Sequence, residues 1–432
     1  MGQVEAGGKG SATLRPGNPR VFRNSMRLIS HVRVRPWIAP CLLGLACLSC
    51  SATDSEPPVA VSNPLFVEPA SRDFSKNPDL LERIVESPHG YLRFINIQFT
   101  QDVCRQFAGS LSQYPPFNLH GDAHLEPYAV TDLGRGLTDF DDSSSGPAVV
   151  DLVRFGVSLR LALAAHGWTD RAEEVLDAFL LGYRTALADP SVEAPEPVVV
   201  GRLQAGFEYD REKYFEWVEE ISDPVPAVEQ VELLEAMRHY FDNLRAQYPS
   251  LDAGFLKVER VGYLKLGIGS ALDTKYLVQI RGESDAITDD LVLELKQVRD
   301  LAGIECVAAG QGSDPYRILV GQSIAYQPYS MLGYVHFRDV SFWAHAWVDN
   351  YRELDIDQTI ETVEELLEVA YDVGVQLGLG HPNQYEEPLA LQLRREQVRL
   401  LDRDEAQIKE ASRQLTTQIE QAWRDFSSRA QQ

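Results

Sequence analysis

Cysteine, basic residues and long apolar runs are all scarce in this chain, and each scarcity excludes something. Of five cysteines in 432 residues, only Cys50, Cys104 and Cys306 lie beyond residue 49. Their spacing supplies neither a zinc motif nor a disulfide framework. Cys104 and Cys306 are therefore expected as two buried free thiols, with a pairing left open should the chain be exported. Lys and Arg number 40 against 64 Asp and Glu, a net charge of −24. The first 50 residues hold seven of the basic residues and one Glu, which leaves 33 against 63 beyond them, or −30. A body that acidic does not track a nucleic-acid backbone, whose binding needs a basic surface. The acidity is read as a solubility device. The apolar run Trp37–Ser49 is too short for a comfortable membrane span.

That run belongs to a leader. Residues 1–25 are Gly-rich, and Met26 is a second possible start. Arg27, Arg33 and Arg35 precede the apolar run, and Cys50 follows it, a secretory layout. The ending LACLSCS resembles a bacterial lipoprotein signal with Cys50, or alternatively Cys47, as the lipidated residue. Residues 1–50 are thus expected to be leader and signal, and 51–70 a Ser- and Pro-rich linker. The chain is expected in the cell envelope, touching membrane only through a lipid anchor. The alternative is a mis-assigned start and a cytoplasmic protein.

What the chain has in abundance is ionisable residues packed between Asn118 and Phe155. His120, Asp122 and His124 stand at two-residue spacing, and Asp139, Asp141 and Asp142 surround Phe140. Gly146 and Pro147 then turn the chain into a helix opened by Asp151 and Arg154. Unpaired charge is costly to bury, so the cluster suggests a site for a cation, or for a phosphate held through one.

The patterns HGD-x-H and DFD-x(4)-GP-x(3)-DL-x-R resemble a bacterial family catalogued as domain of unknown function 2252. They are also similar to the active-site half of aminoglycoside phosphotransferases and protein-kinase-like enzymes. The likeness runs from about Ser87 to His381, where SPHGYLRF and GLGHPNQ match family segments. Phe94 stands where the family has Gly. The resemblance implies that Asp122 is a catalytic base with His120 bracing its loop, and that Asp139, with Asp141, holds Mg2+. Asp151 would pair with the loop backbone or with Arg154, and Arg93 would lie near the site as an anion partner.

Beyond the cluster, helical periodicity covers Leu152–Ala165, Arg171–Ala188, Tyr209–Ile221 and Val228–Gln247. His166 and His239 have no partners in sequence and are read as structural. From Phe255 the texture turns β-rich, with alternating runs at Lys275–Arg281 and Leu291–Lys296. Gly267, Gly269 and Ser270 precede a strand, and Lys296 follows on another. Alone, G-x-G-S describes an ordinary hairpin. The resemblance assigns it, with Lys296, to the phosphate clamp of a kinase-like small lobe that binds ATP. Leu272 stands near the place of a third glycine. Gly321–Asp339 is expected to form two more strands, Phe342, Trp343 and Trp347 to be core, and Asp357–Leu379 and Pro388–Ala430 to be helices.

The expectation is an α+β chain with a protein-kinase-like two-lobe fold in permuted order. Residues 71–250 form a helical lobe with the catalytic motifs, 251–345 a β-rich lobe, and 346–432 helices returning to the first lobe. Lys296 must then lie within about 10 Å of Asp139 to share a phosphate with it. The activity expected is Mg2+-dependent phosphotransfer to the hydroxyl of a small-molecule substrate, with a degenerate or repurposed kinase-like protein as the other outcome. Two departures bear on it: Pro127 replaces a metal-binding Asn of the family, unless Glu126 takes that role, and an exported protein meets little ATP. The alternatives are a metal-dependent hydrolase, with His120, Asp122 and His124 projecting from one face of an extended segment around zinc, and a non-catalytic envelope lipoprotein.

Overall fold

The computed structural model describes residues 63–431 except 77, 250–255, 265–272, 283, 285 and 311–313. The leader with Cys47 and Cys50, and the glycine segment with Gly267, Gly269, Ser270 and Leu272, lie outside the described residues. Mixed helix and strand fill the rest, in the α+β sense expected.

Three helices open the described chain: α1 (Pro78–Glu86), α2 (Pro88–Phe94) and α3 (Asn96–Gln106). Ser87 caps α2, its hydroxyl accepting from the Gly90 amide at 3.1 Å, with Pro88 in the first turn where no amide is needed. Short strands β1 (Phe117–Leu119), β2 (Tyr128–Thr131), β3 (Arg135–Leu137) and β4 (Ser144–Gly146) carry the motif region. β1 pairs antiparallel with β4. HGD follows β1 and DFD precedes β4, so this ladder sets the two motifs side by side.

The helical body is built on α4 (Val149–Ala165) and α5 (Ala172–Ala188), with α6 (Val198–Gln204) after them. Next come α7 (Arg211–Glu220), β5 (Ser222–Pro224), α8 (Ala227–Ala236) and α9 (Arg238–Gln247). The expected helix over Val228–Gln247 is broken at Met237, which closes one helix and opens the other.

The β-rich segment holds β6 (Val258–Leu264), β7 (Lys275–Ile280), β8 (Leu291–Gln297), the short helix α10 (Tyr316–Gly321), β9 (Gly333–Phe337) and β10 (Val340–Trp347). With β5 they form an antiparallel sheet in the order β5-β6-β7-β8-β10-β9. Gly321–Asp339 therefore holds one strand instead of two, because Gln322–Ile324 continues the helical path and the partner of β9 is the aromatic run itself. One sheet face buries Tyr276, Val278, Leu293, Leu295, Phe342 and Ala344 beneath Leu233, Met237 and Tyr240 of α8–α9. The core of the β-rich segment thus reaches back to Val225, before residue 251.

The chain returns through β11 (Tyr351–Glu353), which pairs with β2, and α11 (Ile356–Thr359), to α12 (Val363–Gly380) and α13 (Leu389–Ala430). Thr362 caps α12, accepting from the Glu365 amide at 3.3 Å, while Glu365 accepts from the Glu361 amide at 2.9 Å. α12 packs backbone to backbone on α5, since a Cβ on Gly374 would stand 2.1 Å from the Phe179 carbonyl oxygen and one on Gly182 2.2 Å from that of Tyr371. Along α13, Leu401, Ile408, Leu415, Ile419 and Phe426 recur every four or seven residues and face the body's core. Among the described residues no helix is long and apolar enough to cross a membrane.

Cys104 and Cys306 are joined in a disulfide across 202 positions, which corrects the expectation of free thiols. The loop after β8 folds back onto α3, where Leu301, Ile304 and Ala309 cluster around Cys104, and Ser145 bridges to Ala308. Packing at this range leaves no trace in cysteine spacing.

Candidate functional site

The HGD turn needs its glycine. Gly121 has φ +81°, and a Cβ there would fall 1.9 Å from the Asp142 carbonyl oxygen. This positive φ also breaks strand alternation, so His120, Asp122 and His124 do not share one face. His120 turns inward: its Nε2–H donates to the Thr138 carbonyl at 2.8 Å, and its Nδ1 accepts from the Asp122 amide at 3.3 Å. Burial pushes its pKa down, in keeping with a neutral ring. Both ring nitrogens are thereby engaged, which leaves none for a metal. His124 is buried with Nδ1 unpartnered, its Nε2 3.9 Å from Asp122. Among the described residues no group of three His, Cys, Asp or Glu is set to hold a metal ion.

The turn is braced from below by the first turn of α4. Asp151 accepts from the His120 and Gly121 amides at 2.7 and 2.9 Å, and His381 Nε2 stands 3.1 Å from the same carboxylate. Tyr183 in turn contacts His381 Nδ1 at 2.9 Å. Burial would raise the Asp151 pKa, but His381 and the amides hold it below the usual carboxylate range. One turn further along α4, the fully buried Arg154 donates from Nε to Asp122 Oδ1 at 2.5 Å, and its Nη2 contacts the same oxygen. The motif's two polar helix positions thus divide the work: Asp151 takes the backbone and Arg154 the carboxylate. Burial pushes Asp122 up to about 7 against the pull of Arg154, with Asp142 and Asp139 adding repulsion.

Asp139 sits in the left-handed region (φ 60°, ψ 62°), tolerated by Asp better than by most residues. The 3-10 turn Phe140–Asp142 follows, with the Phe140 ring packed on His120 at 4.8 Å. Lys296 of β8 reaches this turn, its Nζ lying 2.6 Å from Asp139 Oδ1 and 2.6 Å from Asp141 Oδ2. That is well inside the roughly 10 Å that a shared phosphate requires. Trp343 of β10, paired with Lys296 in the sheet, donates from Nε1 to Asp141 Oδ1 at 2.7 Å. Burial opposes ionisation of Asp139 and Asp141. Lys296 overrides it at Asp139 and holds that group far below its usual range. Asp141, beside the ionised Asp139, is pushed up to about 7. Asp142 faces away, accepting from Asn96 at 2.9 Å with Arg299 at 3.3 Å.

Arg93 does lie by the site, but Glu126 takes its charge at 3.0 Å. Pro127 contributes its carbonyl, which accepts from the Thr138 amide at 2.9 Å and hydroxyl at 2.8 Å. Sequence reasoning missed Lys275, Glu294 and His345. Lys275 is the cross-strand partner of Lys296, and Glu294 Oε2 lies 3.1 Å from His345 Nε2. Part of the signal was present: strand alternation sets Glu294 on the same face as Lys296 in β8 and His345 on the same face as Trp343 in β10.

An acidic α+β chain with a carboxylate turn neutralised by a strand lysine is the class so defined. The chain belongs to the bacterial family described as uncharacterized proteins conserved in bacteria (DUF2252), whose profile matches residues 78–221 and 219–429. No curated protein and no solved structure matches.

Proposed function

We propose that this is a kinase-like phosphotransferase acting on the hydroxyl of a small molecule. The observation that carries the reading is the Lys296 contact with Asp139 and Asp141, made by two segments 157 positions apart in sequence. Counted from the strand before the glycine segment, Lys296 is on the third strand, where protein kinases keep their phosphate lysine. The motif order is permuted, and a two-lobe fold requires its contacts more than one chain order. The kinase pairing of lysine with a helix Glu has no counterpart in α10, whose Arg317 bonds instead to the Ser143 carbonyl at 2.9 Å. Asp141 takes the second place beside Lys296.

In this reading Asp122 accepts the proton of the acceptor hydroxyl. Arg154 fixes one of its oxygens and leaves the other to the substrate, and a carboxyl near 7 suits proton transfer at neutral pH. Lys296 moves from its carboxylates to the transferred phosphate. Asp139, 37 % exposed, with Asp141 beside it, fits Mg2+, which is satisfied by one or two carboxylates plus water and phosphate oxygens. Bound there, Mg2+ would neutralise phosphate charge. The donor set does not fit zinc, which takes a nearly complete protein shell.

Asp122→Asn and Asp139→Asn separate the roles. Thermal shifts with a phosphate-bearing ligand, with and without Mg2+, should show Asp122→Asn retaining Mg2+-dependent binding but losing transfer. Asp139→Asn should lose the Mg2+ dependence itself. Full Mg2+-dependent stabilisation of Asp139→Asn would refute the metal role. We also propose export, favoured by the Cys104–Cys306 disulfide, since such bonds persist in oxidising compartments. Mass spectrometry of protein from its host should find lipid on Cys50 or Cys47; an intact N-terminus in the cytosolic fraction would exclude it.

A further inference from the structure

The loop over residues 298–310 leaves β8 just after Lys296 and passes behind the carboxylate turn on its way to α10. Arg299 ties it to the turn, with Nη1 3.3 Å from Asp142 Oδ2 and Nε 2.7 Å from Asp273 Oδ2. The Arg299 carbonyl accepts from Arg317 Nη2 at 3.0 Å, and the same guanidinium donates to the Ser143 carbonyl at 2.9 Å. Further on, the Ala308 amide donates to the Ser145 carbonyl at 2.6 Å, and the Ser145 amide donates back at 2.9 Å. The loop thereby adds a rung beside β4. Cys306 lies directly on that strand, since a Cβ on Gly146 would stand 2.9 Å from its carbonyl oxygen. The Cys104–Cys306 bond then fastens the loop to α3, and α3 reaches the turn as well. Asn96 donates to Asp142 Oδ2 at 2.9 Å and to the Gly121 carbonyl at 3.0 Å. Helix, loop and turn close a ring of contacts, and the disulfide is its covalent member.

The loop contains no helix or strand, and Gly303 and Gly310 turn it at φ +91° and +78°. Ala302, Gly303, Glu305, Ala308 and Gly310 are exposed, while Leu301, Ile304 and Ala309 cluster around Cys104. That cluster is distinct from the core of the helical body and touches it through Leu111, Cys306 and Val307. Opening the bond therefore loosens the loop without dismantling the body. Cys104 is buried and Cys306 half-buried, so thiol exchange begins at the Cys306 sulfur.

We propose that the Cys104–Cys306 bond is a redox latch on the carboxylate turn. Closed, it presses the loop onto β4 and holds Asp139 and Asp141 against Lys296. Opened, it frees the loop, and the turn draws away from β8. This rests on the phosphotransfer and export readings and adds their regulation: the site is loose in a reducing cytoplasm and set in an oxidising compartment. Closing the latch takes two electrons and two protons from the Cys104 and Cys306 thiols. An oxidant of the disulfide class accepts them and leaves as two thiols. In opening, a reductant thiolate bonds to Cys306 Sγ, the bond between the two sulfurs breaks, and Cys104 leaves as a thiolate with the electron pair. A second thiol of the reductant then displaces the first from Cys306.

Hydrogen exchange of the full chain, oxidised and after dithiothreitol, tests the latch without any phosphate ligand. Reduction should speed exchange at the Ser145 and Ala308 amides, and at the Trp343 indole that bonds Asp141, by at least about ten-fold. The amides of α5 and α12 should keep their rates, and oxidised dithiothreitol should restore the original pattern. Arg299→Met cuts the loop from Asp142 and leaves the cysteines joined. It should free the Trp343 indole while Ser145 and Ala308 stay protected. An indole unmoved by reduction, or by Arg299→Met, overturns the latch and leaves phosphotransfer standing. Acceleration of α5 and α12 together with the turn also overturns it, because the bond then sustains the whole body instead of the site. Loss of Mg2+-dependent phosphate binding in both redox forms would count against phosphotransfer alone.

Discussion

The helical body and the sheet bury charge in opposite ways. In the body two fully buried carboxylates are each met by several fixed donors. Asp151 has two amides and His381, and Asp372 has Tyr128 at 2.6 Å, Arg135 at 2.9 Å and Tyr326 at 3.1 Å. Neutral donors do much of that work, and the geometry is set by helix packing. On the sheet, Lys296 is satisfied by carboxylates that belong to another segment of the chain. The body therefore supplies a rigid frame, and the sheet supplies a cation whose partners can be exchanged for phosphate. Buried groups with many donors preserve shape; a buried group with borrowed partners is suited to chemistry.

The contrast breaks most visibly at Lys296. Lys296→Met leaves Asp139 and Asp141 together without their cation, which should cost about 3–5 kcal/mol, as for other broken buried pairs. Urea unfolding at neutral pH measures it. Because Lys296 holds the Asp139 pKa down, its contribution is full above the ordinary carboxylate range and lost as pH falls through the folded value. The variant's deficit should therefore shrink in acid, and Asp139→Asn added to Lys296→Met should recover part of it at pH 7. A deficit that persists unchanged in acid would mean the lysine contributes packing, not charge.

Asp151→Asn tests the body's side of the comparison. Asn keeps the shape and one acceptor but loses an oxygen for the loop amides and the partner of His381. An unsatisfied buried donor costs about 1–3 kcal/mol. The Asp151 pKa is also held down, so this stability too is present above the usual carboxylate range and fades as pH falls. Hydrogen exchange at the His120 and Gly121 amides should accelerate in the variant. Unchanged protection there would show that β1 and β4 hold the turn without Asp151.

Legibility in the sequence divides along the same line. The clustered Asp122, Asp139 and Asp141, and most helices, could be read because spacing and periodicity are local properties, whereas Lys296 was marked only by the family resemblance. Lys275, Glu294 and His345 were partly legible, since alternation says which residues share a face. It does not say which element covers that face, so the burial of Leu277 and Val292 under α7 was invisible. The same holds for Arg154 with Asp122, where the sequence offered Asp151 two partners and only packing chose between them. The Cys104–Cys306 bond, 202 positions apart, is the extreme case.

The smallest expected effect lies where frame and chemistry meet, at Asp122. Its carboxyl is pushed up to about 7 by burial, while Arg154 pulls the other way and Asp142 and Asp139 push with burial. Arg154→Met removes the only one of these forces that favours the charged form. The Asp122 midpoint should therefore move further above 7, and the fraction ready to accept a proton at neutral pH should fall. The stability sign follows from the raised value: the folded state holds this proton where the unfolded chain has released it, so stability declines as pH rises through that window. In Arg154→Met the window should extend to higher pH. Carboxyl 13C chemical shifts of the aspartates, assigned by loss of one signal in Asp122→Asn, give the midpoint directly. A midpoint that drops in Arg154→Met would show that water or another group replaces the guanidinium, and that Arg154 positions Asp122 without setting its charge.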